Sequence, residues 1–586
     1  MHREQIVLVL LCLFLLPGVS FRQCLTRLNY KALQLESVLS NVRGSFAQVK
    51  ELSSVWGHDV RSRYLPRTSP SRGGVVKTQE EALVTSGLMR ELLPFGAALF
   101  AGTSLSAMTQ TLQPLQLLAE AETGFLLYCF MLTQLWLDSP VPIKEWTHDR
   151  SWAETWNYAL TTVPDAREWF LSWFIDDGEI TLRFEDITLQ DATDFLTWAM
   201  FSSEPSQISA DKRQEVAQAV HQIESFTSHS FRMRQPNEQP LRSMRSTIEP
   251  LRHFHKPLMF YLVTQGLFGL GLSNEMRRLQ FQEHQSGDFK YFLKRAEGAT
   301  ATSTTAAAPI FFLHGVGGLA AYLPLIQGLS QMGRDVVAVE MSYVSLHVSP
   351  NVPTIDQHVA LLREVRQRHG YADRKVVLIG HSWGTNVMSW LIKASPDAIQ
   401  TAVFLDPVNF MLHLRDITYA WFYERDRLDS VVVGADGSVA RSVPLISVSS
   451  VVSLVKTELF AVNALQRPLA WFRNSLFAPE LERTGIESLA VVSTNDHIVP
   501  HAEVVRHISE HRSSVSAAAG GESCVNVKQL QGADHGGLVF EESFRCTALD
   551  LIRETIARGE QRAKGGSRAT MSTAESVESA ATVFVN

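Results

Sequence analysis

Six apolar runs, separated by helix-like segments, organise the second half of the chain. The runs are rich in β-branched residues and show no polar alternation; they cover 310–315, 335–342, 375–382, 401–408, 487–496 and 525–535. Such runs predict strands that are buried on both faces, which is typical of a parallel sheet covered by helices. Thr354 and Gly370 fit the N-cap and the C′ position of one intervening helix. The sequence therefore predicts a doubly wound, mostly parallel α/β sheet over 309–558.

A long excursion interrupts this alternation over about 408–481 and predicts a helical cap. It carries more bulky apolar side chains than an ordinary surface segment. These side chains either pack onto the sheet or line an acyl pocket, since ligand pockets are mostly apolar. In the second case, replacing Trp421 or Trp471 by alanine reduces activity on long-chain esters more than on short ones.

The first half of the chain predicts a mainly helical region over 21–296. Residues 152–293 are rich in Trp and Phe, and 211–226 place apolar residues at helical spacing. Small residues of low complexity at 297–308 predict a linker and a domain boundary. The tail at 559–586 is too polar and too small in its side chains to fold, so we expect it to be disordered.

Residues 1–20 predict a secretory signal peptide or an uncleaved signal-anchor. The apolar run Ile6–Leu16 ends at Pro17, and Ser20 is a small residue suited to the position before a cleavage site. A run of roughly 11 residues suits a signal-peptide core better than a bilayer span, which needs about 20. The alternative is an apolar helix docked on the fold.

Two further apolar segments, 92–108 and 124–137, are each short for a bilayer span. They are read either as buried helices of a helical domain or as segments that insert in or on a membrane. Together with the leader they predict the secretory pathway or an endomembrane, with membrane association. The alternative location is the cytoplasm.

Composition narrows the choice of partners. The chain has 586 residues and a formal charge of −7, and no basic stripe accompanies it, so nucleic acid is not an expected partner. Its five cysteines form no CxxC motif and no His/Cys cluster at metal spacing, so they indicate no metal site. No organic cofactor is implied either. Cys524 and Cys546 are either a disulfide or two free thiols. The oligomeric state is left open.

Chemically capable residues follow the predicted strands at their carboxyl ends, where active sites lie in such sheets. The residues are Ser382 after the third strand, Asp406 after the fourth, Asp496 after the fifth and His535 after the sixth. A serine needs a base to remove its proton, a histidine can supply it, and a carboxylate must then hold the imidazole. The order Ser, Asp, His and the glycines around Ser382 predict a hydrolase-type triad.

The backbone around this serine has roles of its own. Gly380 and Gly384 allow a sharp turn between strand and helix, where side chains would collide. The N–H of Trp383 is one expected donor to a developing oxyanion. The second comes from the glycine-rich loop after the first strand, with Val316 as the main candidate and Gly317 as the alternate.

Four segments, FFLHGVGG, VVLIGHSWG, VVSTNDHIVP and GADHGGLVF, resemble α/β-hydrolase-fold serine hydrolases. The resemblance covers about 305–558 and lies in the broad branch that includes monoacylglycerol lipases and proline iminopeptidases. It implies Ser382 as nucleophile, Asp496 as acid and His535 as base, with Asp406 as the alternative acid. It also implies that His314 and Gly315 shape the oxyanion turn rather than react. Thr385 stands where many relatives carry glycine.

The sequence thus favours a serine hydrolase that cleaves a carboxylic ester of acyl or lipid type through an acyl-enzyme. Its expected partners are a small-molecule or lipid ester and a membrane surface. An aminopeptidase or thioesterase on the same triad is the alternative within enzymes. An aminopeptidase would need cap carboxylates to hold a substrate ammonium, for which Glu424, Asp426, Asp429 and Glu458 are the candidates. A membrane-associated scaffold with a vestigial triad is the alternative from another class.

Overall fold

A computed structural model of the chain describes residues 109–137, 152–175, 182–296, 307–424, 452, 454–519 and 522–565. The chain divides into two compact units, Met1–Met131 with Pro257–Phe260 and Leu132–Lys256 with Tyr261–Asn586. The second unit contains the sheet and every predicted site residue. The predicted signal segment 1–20, the apolar segment 92–108 and most of the linker 297–308 lie outside the described residues.

Eight strands form one sheet in the order β1-β2-β4-β3-β5-β6-β7-β8. The strands are Gln282–Ser286 (β1), Phe289–Lys294 (β2), Ile310–Leu313 (β3), Val336–Glu340 (β4), Val376–His381 (β5), Ile399–Leu405 (β6), Glu487–Ser493 (β7) and Val525–Leu530 (β8). From β4 to β8 every pairing is parallel. The predicted doubly wound α/β sheet is confirmed, and its six parallel strands, β3 to β8, overlap the six predicted runs.

Two strands of the sheet precede the predicted linker. β1 and β2 form an antiparallel hairpin, and β2 pairs antiparallel with β4. Gly287 takes a positive φ of 54° in the turn between them, a conformation that glycine adopts at little cost. The prediction that the α/β domain starts at 309 therefore placed these strands outside the sheet they belong to. Polar and charged residues in QEHQS and FKYFLK hide them from a search for apolar runs.

Helices lie between the strands and in the region before them. Their bounds are Thr109–Leu132 (α1), Trp152–Thr162 (α2), Ala166–Ser172 (α3), Leu189–Phe201 (α4), Ala210–Thr227 (α5), Leu258–Tyr261 (α6), Phe268–Arg278 (α7), Leu323–Ser330 (α8), Ile355–Arg368 (α9), Trp383–Ala394 (α10), Arg415–Thr418 (α11), Leu459–Gln466 (α12), Trp471–Asn474 (α13), Ala478–Thr484 (α14), His501–Ala519 (α15), Gly537–Phe540 (α16) and Glu542–Gly565 (α17). Thr354 caps α9 through a capping box with Gln357, as predicted. Gly370 follows α9 with a φ of 75°.

The region before the hairpin is helical over α2 to α5, and residues 228–257 then continue without a helix. Its core is aromatic. Trp173, for example, packs against Phe195 and Trp198 with ring centroids 5.5 and 5.6 Å apart. The cap packs on this core, because the indole of Trp471 in α13 lies against that of Trp156 at a tilt of 52° and donates a hydrogen bond to the carbonyl of Ala199. The helical region and the cap are thus parts of one packed unit.

The last helix extends beyond the predicted start of the tail at 559. Arg558 and Arg562 in its final turns both pair with the buried carboxylate of Glu487 on β7. Gly559 lies so close to Thr401 on β6 that a Cβ atom there would overlap the threonine hydroxyl. These contacts hold the helix against the sheet up to Gly565, and only 566–586 of the predicted tail lie outside the described residues.

The second predicted apolar segment, 124–137, forms the end of α1 and a short π-helical turn. Helix α1 exposes Leu117, Leu127, Phe130 and Met131. None of the helices in the described part of the chain combines the length and the apolar character that a bilayer crossing requires. Membrane association stays a prediction. Cys524 and Cys546 are free thiols in the structure, not a disulfide.

Candidate active site

Ser382 occupies the sharp turn between β5 and α10. Its φ of 51° and ψ of −118° are unusual for a residue with a side chain, and its own N–H donates to the carbonyl of Leu405 on the neighbouring strand. Such a backbone costs about 1–3 kcal/mol and persists where the surroundings enforce it, often at functional sites. The turn presents the hydroxyl at the carboxyl edge of the sheet.

The two glycines around this serine are required by close backbone contacts. A Cβ atom on Gly384 would overlap the carbonyl oxygen of Leu313 on β3. A Cβ atom on Gly380 would lie 2.5 Å from the sulfur of Met388 and 3.0 Å from the backbone of Gly384. Helix α10 can therefore begin directly over β3 and β5 only because both positions lack a side chain.

Three predicted residues meet in one hydrogen-bonded chain. Nε2 of His535 lies 2.9 Å from Oγ of Ser382, and Nδ1 of His535 lies 2.7 Å from Oδ2 of Asp496. The other oxygen of Asp496 accepts the N–H groups of Ile498 and Val499 at 2.7 and 2.9 Å. All three side chains are buried, with Ser382 only 2% exposed. The structure thus brings together residues that are far apart in the sequence.

The hydrogen bonds determine which nitrogen of His535 carries the proton. Oδ1 of Asp496 already accepts two amides, and Oδ2 lies against Nδ1 of His535, so Nδ1–H donates to Oδ2. Nε2 is then free to accept the proton of Ser382. Burial opposes the imidazolium, but the carboxylates of Asp496, Asp406 and Asp534 outweigh that effect and raise the pKa of His535 to about 9.

Asp406, the alternative acid, lies nearby but does not hydrogen-bond to His535. Its carboxylate accepts the N–H groups of Ser493 at 2.9 Å and of Gly536 at 3.2 Å. Oδ2 also faces Nε2 of His381 at 3.5 Å. Of the two predicted carboxylates, Asp496 is therefore the one in contact with the imidazole, and Asp406 supports the backbone on either side of it.

The loop after β3 has most of its amides in use. Three N–H groups donate to protein acceptors: Gly315 to the Tyr322 hydroxyl, Gly317 to the Val344 carbonyl and Leu319 to the Glu340 carboxylate. Gly317 is the alternate candidate for the oxyanion donor, but its amide is already hydrogen-bonded to the carbonyl of Val344. In this stretch of the described chain, the amides of Val316 and Gly318 have no acceptor.

Val316 is the better placed of these two amides. It follows Gly315, whose Cα lies so near the nucleophile that an added Cβ would be 2.9 Å from Cβ of Ser382. The amide of Trp383 also has no acceptor among the described residues, as expected for the first residue of a helix. Val316 and Trp383 therefore offer two free N–H groups on either side of the serine.

Both ring nitrogens of His314 form hydrogen bonds with the backbone. Its Nδ1 lies 2.5 Å from the carbonyl oxygen of Gly315 and must donate, while Nε2 accepts the N–H of Met341 at 2.8 Å. The ring is therefore neutral, and burial lowers its pKa. Both nitrogens are used to connect the loop to the end of β4, so His314 is not free to react.

Asp406, Asp496 and His535 each have one possible metal-ligand atom, and these three atoms lie within 4.8 Å of one another. One metal ion could bridge atoms at this spacing. In the structure both nitrogens of His535 are used, on Ser382 and Asp496. Both carboxylates also accept backbone amides. These hydrogen bonds account for the close approach of the three side chains.

Residues 308–441 match the family model described as alpha/beta hydrolase fold. This part of the chain has the α/β-hydrolase fold. The family model and the order and direction of the strands carry this assignment. It agrees with the resemblance that the four sequence motifs indicate.

The named relatives match only part of this chain. Human Protein ABHD8 is 30% identical over 99 residues, which are 17% of this chain and 23% of that protein, and the bovine protein matches equally. The match thus spans about a quarter of the relative's length. A carboxylesterase structure from Nitrososphaera gargenis is 17% identical and covers 47% of this chain and 99% of its own, with a TM-score of 0.33. Naproxen esterase from Bacillus subtilis is 14% identical and covers 49% and 97%, with a TM-score of 0.33.

Sequence reasoning missed two buried groups beside the triad. Tyr322 lies in the stretch that predicts a helix after the loop, and no motif marks it. His381 stands directly before Ser382, and a histidine at the end of a buried strand is itself a signal, because burying its ring requires partners for two nitrogens. Both contact the site in the structure.

The cap tryptophans differ in environment. Trp471 is buried in the aromatic core, as described above, so packing accounts for its side chain. Trp421 is partly exposed. The ammonium nitrogen of Lys456 lies over the Trp421 ring, 5.7 Å from the ring centre. Neither contact involves Ser382, and an acyl-pocket role for them stays a prediction.

Proposed function

We propose that this α/β hydrolase is a serine hydrolase that cleaves a carboxylic ester of acyl or lipid type through an acyl-enzyme. The observation that carries the proposal is the unbroken chain from Asp496 through His535 to Ser382, with both distances below 3.0 Å. A serine becomes a useful nucleophile when a positioned base removes its proton during attack. The arrangement supplies such a base and a carboxylate that holds it.

In the proposed reaction, Oγ of Ser382 attacks the ester carbonyl carbon while Nε2 of His535 takes the hydroxyl proton. The negative charge that develops on the carbonyl oxygen is stabilised by the amides of Val316 and Trp383. The tetrahedral intermediate then expels the alcohol, which receives its proton from His535, and leaves an ester of Ser382. Water, deprotonated by His535, attacks this ester and releases the acid and the free serine.

An apolar acyl group suits the surroundings of the triad. The serine, the acid and the base are all buried, and buried apolar residues follow each element along the chain, among them Val408, Val499 and Leu538. Removing an apolar chain from water into such surroundings is favourable, by about 25 cal/mol for each Å² buried. A substrate with a strongly charged acyl part would lose hydration there without a described partner.

The cap carboxylates give little support to an aminopeptidase. Glu458 is buried and accepts the amides of Phe460 and Ala461 at the start of α12, together with the Tyr261 hydroxyl. Glu424 pairs with Lys456 at 3.6 Å. Both are thus already engaged by the protein, and Asp426 and Asp429 lie outside the described residues.

A substrate panel tests the proposal. Purified full-length protein is assayed on carboxylic esters of increasing chain length, on acyl thioesters and on aminoacyl amides. We expect ester hydrolysis by the wild type and its loss in Ser382→Ala. Ser389→Ala is a matched control, because Ser389 is a buried serine two turns along the same helix.

Each outcome of the panel has a meaning. Faster turnover of thioesters than of esters would favour a thioesterase. Faster turnover of aminoacyl amides would favour an aminopeptidase. Hydrolysis that survives Ser382→Ala would contradict the proposed nucleophile. A folded wild type that hydrolyses none of the three classes favours a scaffold with a vestigial triad.

A further inference from the structure

A second buried polar chain runs beside the triad. The hydroxyl of Tyr322 accepts the N–H of Gly315 at 2.9 Å and lies 2.8 Å from Nδ1 of His381. Nε2 of His381 faces Oδ2 of Asp406 at 3.5 Å, which is longer than an ordinary hydrogen bond but within range of a charged partner. The side chains of Tyr322, His381 and Asp406 are all buried. Among the described residues, none of these three side chains hydrogen-bonds to the hydroxyl of Ser382.

The direction of the protons along this chain follows from the partners. The Tyr322 oxygen already accepts the Gly315 amide, so its own proton is free to go to Nδ1 of His381. Nε2 then carries the ring proton, and the carboxylate of Asp406 lies 3.5 Å from it, a charge contact rather than a hydrogen bond. The opposite arrangement would set a lone pair of Nε2 against the negative charge, and the tyrosine proton would have no acceptor. Burial keeps His381 neutral by lowering its pKa.

The chain ends at the two loops on which the proposed reaction depends. At one end Gly315 directly precedes Val316, the proposed oxyanion donor. At the other end Oδ2 of Asp406 accepts the amide of Gly536, which directly follows His535. Oδ1 of Asp406 accepts the amide of Ser493 at the end of β7, three residues before Asp496.

We propose that Tyr322, His381 and Asp406 form a positioning relay that holds the oxyanion loop and the base of the triad in register. The proposal rests on the proposed function for its effect on catalysis. These residues act through others: Tyr322 sets the amide of Val316 through Gly315, and Asp406 sets His535 through Gly536 and through its charge. His381 joins the two ends, its ring 5.5 Å from that of His535 between centres.

Tyr322→Phe tests the oxyanion end. The variant keeps the ring and removes the oxygen that accepts the Gly315 amide, so the loop loses this attachment without a change of charge. We expect kcat to fall about 10- to 100-fold, with KM nearly unchanged, since an oxyanion donor acts on the transition state. The pH at which kcat/KM falls to half on the acid side stays where it is in the wild type.

Asp406→Asn tests the other end. Asparagine tolerates the positive φ of 43° at this position, so the fold is expected to survive. The titratable groups that face His535 are Asp496, Asp406, Asp534 and His381. Removing one of three negative charges makes the imidazolium less stable, so the acid limb of kcat/KM moves to lower pH by about one unit. The acid limb of kcat/KM is thus expected to move in Asp406→Asn and to stay in place in Tyr322→Phe. A general loss of stability would not produce this difference.

Tyr371→Phe is the matched control. Tyr371 is a buried tyrosine whose hydroxyl donates to Asp335, just before the start of β4 and so at the opposite edge of the sheet from Ser382. The same atom is removed from a comparable environment. We expect kcat and the pH profile of this variant to equal those of the wild type.

Two measurements without substrate separate this proposal from the proposed function. Hydrogen exchange of the peptide that carries Gly315 should be faster in Tyr322→Phe and unchanged in Tyr371→Phe. The pKa of His535, followed by NMR with ¹³C-labelled histidine and assigned by the loss of its signal in His535→Asn, should be lower in Asp406→Asn. An inert wild type overturns the proposed function, and these two measurements then decide on the relay. Unchanged exchange together with an unchanged pKa of His535 would overturn the relay, whatever the activity.

Discussion

Two carboxylates end neighbouring strands in this protein, and their hydrogen bonds give them different roles. Asp496 contacts the imidazole of His535 directly and is held by two amides of its own loop. Asp406 contacts backbone amides on both sides of that imidazole. The sequence places both at the right edge of the sheet but cannot tell which one reaches the ring, because that depends on loop conformation beyond the strand ends.

Replacing Asp496 by asparagine tests this assignment. The amide would no longer stabilise the imidazolium and would favour the wrong tautomer of His535, so we expect kcat on an ester to fall about 10³- to 10⁴-fold. Asp550→Asn removes a carboxylate from an exposed pair with Arg553 and should leave kcat unchanged. A loss in Asp496→Asn no larger than that in Asp406→Asn would contradict the choice of Asp496 as the acid.

The charge around His535 makes a second prediction at this scale. Only the neutral imidazole can accept the proton of Ser382, so kcat/KM falls as pH drops through the pKa of His535. Because the neighbouring carboxylates raise that pKa to about 9, the acid limb should lie well above the ordinary value for histidine, near 6.5. Measuring kcat/KM of ester hydrolysis between about pH 5 and pH 10 locates the acid limb and checks this prediction. A limb at or below 6.5 would show that desolvation outweighs the carboxylates.

At the scale of the elements, the parallel strands were predictable and the antiparallel hairpin was not. β3 to β8 form the parallel part of the sheet, and apolar β-branched runs mark most of them. β1 is a polar, mostly exposed edge strand, and in β2 two lysines, Lys290 and Lys294, interrupt a run of buried apolar residues. The end of α17 was missed for a related reason, since Arg558 and Arg562 make polar contacts with Glu487 that no hydrophobic pattern reveals.

The contact between α10 and β3 makes a prediction about stability. In Gly384→Ala the new methyl group meets the backbone of Leu313, which cannot rotate away, so we expect a loss of at least about 1–3 kcal/mol in the free energy of unfolding. Gly271 in α7 has open space around its Cα and serves as a control. Gly271→Ala should stabilise the protein by about 0.5–1 kcal/mol. Denaturant unfolding of both variants measures the difference, and equal effects would contradict the close packing at Gly384.

At the scale of the whole molecule, the α/β sheet depends on chain that precedes the predicted linker. β2 pairs with β4, and Arg467 in the cap donates to the carbonyls of Thr247 and Glu249. The aromatic core that precedes the hairpin also supports the cap, since Trp471 packs against Trp156 and donates a hydrogen bond to the carbonyl of Ala199. The position of these cap contacts could not be predicted, because each joins residues more than 200 apart in the sequence.

A chain that begins at 309 tests this dependence. It keeps every residue of the proposed triad but loses β1, β2 and the helical region. The apolar surface that is exposed and the edge of β4 that loses its partner β2 should prevent cooperative melting. Calorimetry of this chain is compared with that of the full chain and of a chain that ends at 565. We expect the chain ending at 565 to melt like the full chain. A chain starting at 309 that melts cooperatively near the same Tm would contradict the described packing.

The central claim is that Ser382 is an activated nucleophile, and labelling with a fluorophosphonate probe tests it most directly. The probe phosphonylates a serine only where a neighbouring base removes its proton. Intact-mass and peptide measurements on the full-length protein should show one adduct, located on Ser382. The adduct should be lost in Ser382→Ala and in His535→Ala and retained in Ser389→Ala. A folded wild type without an adduct, or an adduct that persists in Ser382→Ala, would contradict the account.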